Sequence, residues 1–132
     1  MITDSNFHTH TNYVDGKHTP KQVVESAIAM GMTTLGFSEH CYTPLDPDCC
    51  LSKEQTVAYR QEIQTLKEAY GNQIQILCGI EMDYTSEDDP TAYDYVIGSV
   101  HYLRVNGVTY PVDYSAEQTM HCVNEAFGGD FD

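Results

Sequence analysis

Leu35-Gly36-Phe37-Ser38-Glu39-His40 is a short apolar run that ends on side chains able to bind a metal. Helical patterns lie before and after it, which favours a buried strand of a parallel sheet. Three more short apolar runs, at 6–10, 76–81 and 95–101, also end on histidine or glutamate. Because parallel strands bring their C-terminal ends to one edge, these polar side chains are expected to gather there.

Helix and strand signals extend this pattern outward. Thr19 and Pro20 are typical of a helix start, Gly31 ends that helix, and Ser52 begins the next one, which stops at 71–72. Strands are predicted at 2–8, 33–37, 74–80 and 93–100, a hairpin at 102–110 and a last helix at 115–127. The β-α-β-α-β order predicts an α/β fold with a parallel sheet and right-handed crossovers.

Length and charge limit the function. The 132 residues suffice for one domain, but a complete barrel of alternating strands and helices takes about 250. Six basic residues face twenty acidic ones, for a formal net charge of -14. Such a surface repels nucleic acid and anionic membranes, and it also repels a phosphate substrate unless bound cations reverse the local field.

The cysteines and the apolar residues indicate the compartment. Five cysteines, an odd number without a CxxC pair, favour free thiols over a disulfide framework or a thiolate zinc site. No stretch reaches the length of a membrane span, and the first residues lack the pattern of a signal peptide. We therefore expect a cytoplasmic protein without a membrane partner.

The strand-end residues predict a metal site. His8 and His10 are two apart, so in a strand their rings point to the same face. Asp15 and His18 lie in the following loop, close enough to fold back over them, and Glu81 is the natural bridging carboxylate. A single histidine is more often a packed or surface residue, but the shared position at strand ends favours metal ligation. Imidazole and carboxylate together suit zinc, iron or manganese, which indicates a metal-dependent enzyme.

At these residues the chain also resembles a known family. His8-Thr9-His10-Thr11, Asp15-Gly16, Ser38-Glu39-His40, Gly79-Ile80-Glu81 and Gly98-Ser99-Val100-His101 are similar, in that order, to the first motifs of the polymerase-and-histidinol-phosphatase (PHP) family. The stretches 95–101 and 111–115 resemble its histidinol-phosphatase branch most. The resemblance implies the N-terminal half of a distorted (β/α)7 TIM-like barrel, with residues 1–132 as a PHP domain incomplete at its C-terminus.

The resemblance also implies roles for individual residues. Two or three divalent ions (Zn, Mn or Fe) would be held by His8, His10 and Glu81, by Glu81 and His101, and by Asp15 and His40. Glu81 and His40 are the catalytic candidates. Lys17 and His18 are the substrate candidates because they lie in the loop beside the metal ligands, and not because of the resemblance. Glu39 and Asp83 are acids that could orient the ligating histidines.

The implied activity is hydrolysis of L-histidinol phosphate to L-histidinol and phosphate in histidine biosynthesis. Later family motifs, with further ligands and a phosphate-binding arginine, have no match in these 132 residues. The chain alone is therefore expected to show little activity and to associate through open strand edges. Two alternatives stay open: a PHP nuclease or nucleotide phosphoesterase, which the few basic residues disfavour, and a non-catalytic metal-binding remnant.

Overall fold

A computed structural model describes residues 4–131, which form two compact units, one up to Gly98 and one from Ser99 onward. The first unit contains β1 (Ser5–Asn6), α1 (Pro20–Ala29), β2 (Thr34–Phe37), α2 (Lys53–Tyr70), β3 (Gln75–Asp83), a 3-10 turn (Pro90–Ala92) and β4 (Tyr95–Ser99), whose last residue begins the second unit. The second unit contains β5 (Tyr102–Val105), β6 (Val108–Pro111) and α3 (Ala116–Phe127). Of the strand predicted at 2–8, residues 2 and 3 lie outside the described residues.

The two helices of the first unit begin at the predicted capping residues. The side chain of Thr19 accepts a hydrogen bond from the backbone of Gln22, and the Gln22 side chain accepts one from the Thr19 backbone. Ser52 and Gln55 repeat this reciprocal pair at α2. Each pair satisfies two N–H groups that lack partners inside the helix, and losing such a cap typically costs about 1 kcal/mol.

The sheet has the order β1-β2-β3-β4, and β2 runs parallel to both β1 and β3. Phe37 is paired with Cys78, and beyond this pair His40 and Glu81 form one more parallel bridge. The Glu81 N–H donates to the Glu39 carbonyl and the Cys41 N–H to the Glu81 carbonyl, both at 2.9 Å. This pairing extends β3 three residues past the predicted end at 80, so it places His40 beside Glu81.

The core of the first unit lies between the sheet and helices α1 and α2. Its fully or almost fully buried members include Val24, Leu35, Phe37, Leu51, Tyr59, Ile63, Ile76 and Ile80. The hydroxyl of the fully buried Tyr59 donates to the Gly79 carbonyl at 2.8 Å, which satisfies the one polar group of that ring. Cys78 also packs in this core.

The thiols offer a test of this packing. All five cysteines are free; Cys78 is buried, whereas Cys49 is exposed. Burial raises the pKa of the Cys78 thiol to about 11, so little reactive thiolate forms at pH 8. We expect iodoacetamide to label Cys78 at least ~10-fold more slowly than Cys49 in the folded chain, as measured by peptide mass spectrometry. Labelling in urea should remove the difference, and equal rates without urea would contradict this core.

The second unit is a hairpin packed on a helix. β5 and β6 pair in antiparallel register, and the turn residues Asn106 and Gly107 have φ values of 51° and 83°, as the tight hairpin turn requires. Helix α3 begins at the capping Ser115 and ends at Gly128, whose φ of 63° favours glycine. The predicted hairpin and last helix are therefore confirmed. Within residues 4–131, no helix has the length and apolar character that crossing a bilayer requires.

Candidate metal centre

Five of the six predicted metal ligands meet in the first unit. His8 and His10 follow β1, His40 follows β2, Glu81 lies in β3, and Asp15 is in the loop after His10. Their ligand atoms form two groups in which all atoms lie within 4.8 Å of one another. One group joins His8, His10 and Glu81, and the other joins His10, Asp15 and His40.

Backbone contacts hold the first two strand ends together. The Ser38 N–H donates to the Thr9 carbonyl at 2.9 Å, and the Thr9 N–H donates to the Ser38 hydroxyl at 3.1 Å. The hydroxyl of Tyr95 lies 2.6 Å from the Phe7 carbonyl and 2.8 Å from the Phe37 carbonyl. These contacts fix the peptide that precedes His8 and the strand end that precedes His40.

Glu81 is the centre of the site. Its side chain is only 7% exposed, and one carboxylate oxygen, Oε2, faces three imidazole nitrogens. It lies 3.0 Å from His8 Nε2, 3.1 Å from His10 Nε2 and 3.4 Å from His40 Nδ1. A nearly buried carboxylate is unfavourable unless positive charge compensates it, so this arrangement suits a cation-binding role.

Asp15 approaches the same two rings from their other nitrogens. Its Oδ1 lies 3.1 Å from His10 Nδ1 and its Oδ2 lies 3.7 Å from His40 Nε2. The centroids of the His10 and His40 rings are 4.5 Å apart. Two carboxylates therefore span one pair of adjacent imidazoles.

The donor set fits divalent cations. A neutral imidazole carries only one N–H, so it cannot donate to a carboxylate at each of its two nitrogens. His10 Nδ1 is buried and makes no hydrogen bond of acceptable geometry, although Asp15 Oδ1 is 3.1 Å away. Imidazole nitrogens and carboxylate oxygens are ligands of zinc, iron and manganese, so cations between these atoms would satisfy both sets.

The other predicted site residues, His101, Lys17 and His18, are not members of these two groups. His101 belongs to the second unit, where its Nε2 is 3.6 Å from Asp113 Oδ2 and its Nδ1 is 3.3 Å from the Ser99 hydroxyl. Its role as a metal ligand stays a prediction. Lys17 and His18 are exposed on the loop after His10, and their substrate role is likewise untested. Asp113 is mostly exposed and faces His101.

Glu39 is buried more completely than its position in a polar motif suggests. It has no exposed surface, and its Oε1 accepts hydrogen bonds from the Thr11 N–H at 2.7 Å and the Thr11 hydroxyl at 2.5 Å. Burial raises the pKa of the Glu39 carboxyl to about 7, although the two hydrogen bonds from Thr11 oppose that shift. Neither residue type nor spacing identifies this contact, because Thr11 and Glu39 are 28 positions apart.

Known proteins match this fold and most of this chain. The PHP domain family matches residues 6–129. Histidinol-phosphatase from Bacillus subtilis is 31% identical over 126 residues, which cover 81% of this chain and 47% of the relative. The chain thus spans about half the length of that curated relative.

Two solved structures agree with the fold. A Listeria monocytogenes protein assigned as a histidinol phosphatase matches with a TM-score of 0.73 at 21% identity, over 86% of this chain and 51% of that one. Histidinol phosphate phosphatase from Lactococcus lactis, solved with zinc, L-histidinol and phosphate, gives a TM-score of 0.57 at 28% identity, over 94% and 51%. The predicted fold class, an α/β N-terminal half of a PHP-type barrel, is confirmed. The chain belongs to the PHP domain family.

Proposed function

We propose that this chain carries part of the active site of a metal-dependent phosphatase that hydrolyses L-histidinol phosphate in histidine biosynthesis. The observation that carries the proposal is the pair of carboxylates, Glu81 and Asp15, spanning the rings of His10 and His40. The histidinol-phosphatase relative and the Lactococcus lactis complex support the choice of substrate.

Two or three divalent ions, of zinc, manganese or iron, are the proposed cofactor. His8, His10 and Glu81 would hold one ion, and Asp15 and His40, with His10 beside them, would hold a neighbouring one. His101 is proposed as a further ligand that shares an ion with Glu81. When bound, such ions lower the pKa of coordinated water and neutralise charge on a phosphoryl group.

The residues of the chain prepare the site for that chemistry. Glu81 is fixed by its strand backbone and is nearly buried, so its carboxylate is held where it can serve two ions. His40 is held beside it by the bridge between their strands and is the second catalytic candidate. Both side chains are more than three quarters buried, which limits competition from bulk water.

The charge of the chain favours a small substrate over a polynucleotide. A polynucleotide needs an extended basic track, whereas the six basic residues here are scattered among twenty acids. Lys17, exposed on the loop that carries Asp15, is the basic residue we propose near the phosphate, with His18 beside it. We propose a cytoplasmic protein with no nucleic-acid or membrane partner.

Substrate preference tests the proposal. We expect kcat/KM to be highest for L-histidinol phosphate, and at least about 10-fold lower for AMP and for a short DNA oligonucleotide under one metal condition. The protein to assay is a fusion of this chain with the remaining part of the Bacillus subtilis relative, since the chain spans 47% of it. Phosphate release is the measurement for L-histidinol phosphate and AMP, and strand cleavage is the measurement for the oligonucleotide; the 132-residue chain is assayed in parallel.

The outcomes separate the candidate functions. A preference for AMP or the oligonucleotide would replace the histidinol-phosphate assignment by a nucleotide or nuclease activity while leaving the metal site standing. Tight metal binding by the 132-residue chain without turnover, in both the chain and the fusion, would favour a non-catalytic metal-binding protein. We expect the chain alone to bind metal and release little phosphate.

A further inference from the structure

We infer that Glu39 is a positioning residue, which uses Thr11 to hold the Asp15 loop against the ligands that follow β1 and β2. This inference rests on the proposed metal site. Glu39 is distinct from the ligands, because neither group of candidate ligand atoms includes it. Glu39 acts on the ligands through the backbone next to them, since Thr11 follows His10 and Glu39 itself precedes His40.

The contact between Glu39 and Thr11 is fully buried. Both residues have 0% exposure, and the carboxylate oxygen Oε1 accepts two hydrogen bonds from one residue, from its N–H at 2.7 Å and its hydroxyl at 2.5 Å. Bonds from two donors of one residue fix both the position and the rotation of that residue. Within the described residues, no hydrogen-bond partner reaches the second oxygen, Oε2. The buried carboxylate therefore leaves one oxygen without a hydrogen bond, which favours a role beyond packing.

Thr11 in turn controls the loop that carries Asp15. Its carbonyl accepts hydrogen bonds from the Val14 N–H at 3.2 Å and the Gly16 N–H at 2.8 Å, so Asp15 lies between two anchored peptides. Gly16 packs so closely that a Cβ there would lie 2.6 Å from the Thr11 backbone. The loop is therefore folded tightly onto Thr11, and a shift of Thr11 would move the Asp15 carboxylate.

The same carboxylate links ligands from two strands. Thr11 directly follows His10, and Glu39 directly precedes His40, so the contact joins the backbones next to both rings. The Asp15 carboxylate spans those two rings at 3.1 and 3.7 Å, distances that a small movement of the loop would change. Side chains that orient metal ligands commonly alter metal affinity by 10–100-fold when they are lost.

Metal titration of four variants of the 132-residue chain tests this role. Thr11→Val removes the hydroxyl donor and Thr11→Ser retains it; Glu39→Leu removes the acceptor and Glu39→Gln retains one. We expect Co²⁺ to bind roughly 10-fold more weakly to Thr11→Val and Glu39→Leu, with an altered visible absorption spectrum. Thr11→Ser and Glu39→Gln should stay within about 3-fold of the wild-type affinity.

A control variant and a double mutant separate positioning from stability. Thr56→Val removes another buried threonine hydroxyl, which donates to the carbonyl of Ser52, the capping residue of α2, so it should lower the melting temperature without changing Co²⁺ affinity. If Thr11 acts through Asp15, adding Thr11→Val to Asp15→Ala should lower the Co²⁺ affinity little further than Asp15→Ala alone.

The inference is wrong if Thr11→Val, measured where it is folded, binds Co²⁺ with the wild-type affinity and spectrum. It is also wrong if Glu39→Gln loses as much affinity as Glu39→Leu, because the charge and not the acceptor would then matter. If the wild-type chain binds no Co²⁺, the proposed metal centre fails, and this role fails with it.

Discussion

Replacing Glu81 by alanine is expected to abolish most metal binding by this chain. One oxygen of this carboxylate faces the rings of His8, His10 and His40 at 3.0 to 3.4 Å, so its loss removes the anionic ligand of one candidate group and the carboxylate beside His40 of the other. Three imidazoles without that carboxylate would hold a divalent ion with less charge compensation. We expect zinc affinity to fall by at least about 10–100-fold, as measured by competition with a chromogenic chelator.

Two further variants identify the cause of that loss. Glu81→Gln keeps a carbonyl oxygen but no negative charge, so its affinity should lie between the wild type and Glu81→Ala. Asp94→Ala removes another acid of the first unit, one that accepts a hydrogen bond from the Cys78 N–H and pairs with Lys67, and it should leave zinc affinity within about 3-fold of wild type. Equal zinc stoichiometry and affinity in Glu81→Ala would show that Glu81 is not a shared ligand.

The site could be predicted from sequence as far as strand geometry determines it. His8, His10, His40 and Glu81 each follow or end an apolar run, and parallel strands bring such positions to one edge of a sheet. The pairing of His40 with Glu81, which extends β3 to Asp83, depends on the register between strands. The sequence of neither strand, taken alone, shows which residue of β2 pairs with which residue of β3.

Contacts between side chains far apart in the sequence could not be predicted either, because no local pattern shows which of them meet. The sequence predicts Glu39 as an acid that could orient the ligating histidines, but it does not show that Thr11, 28 residues away, is its partner. Lys67 on α2 is only a quarter exposed and pairs with Asp94, 27 residues further along the chain. Residue type shows what each group can bind, but only the folded chain shows which partner is within reach.

The glycines of β2 and β3 show a second feature that appears only in the folded chain. The Tyr95 side chain crosses Gly79 and Gly36 so that its hydroxyl reaches the Phe7 and Phe37 carbonyls. A Cβ at Gly79 would lie within 3.0 Å of three ring atoms of Tyr95, whereas a Cβ at Gly36 would meet the hydroxyl oxygen first. The two glycines therefore make room for different parts of one side chain.

Gly79→Ala is expected to destabilise the chain by about 3 kcal/mol, because the new methyl group must displace the ring from its hydrogen bonds to the ends of β1 and β2. Replacing glycine by alanine at a tolerant site gives the opposite effect, a gain of roughly 0.4–1 kcal/mol from the unfolded state. At Gly79 we expect the cost of overpacking to exceed the gain from the unfolded state. The free energy of unfolding in urea, at an unchanged m value, is the measurement.

Gly98→Ala is the matched control, since a Cβ at that position in β4 meets nothing within 4 Å. It should leave stability unchanged or slightly higher. Tyr95→Phe, which removes only the hydroxyl, should relieve much of the cost of Gly36→Ala but little of the cost of Gly79→Ala, because the ring remains. If Tyr95→Phe rescued both alanine variants equally, or if Gly79→Ala were as harmless as Gly98→Ala, the ring would not lie across these strands. Tyr95 would then have no part in aligning the strand ends that carry His8 and His40.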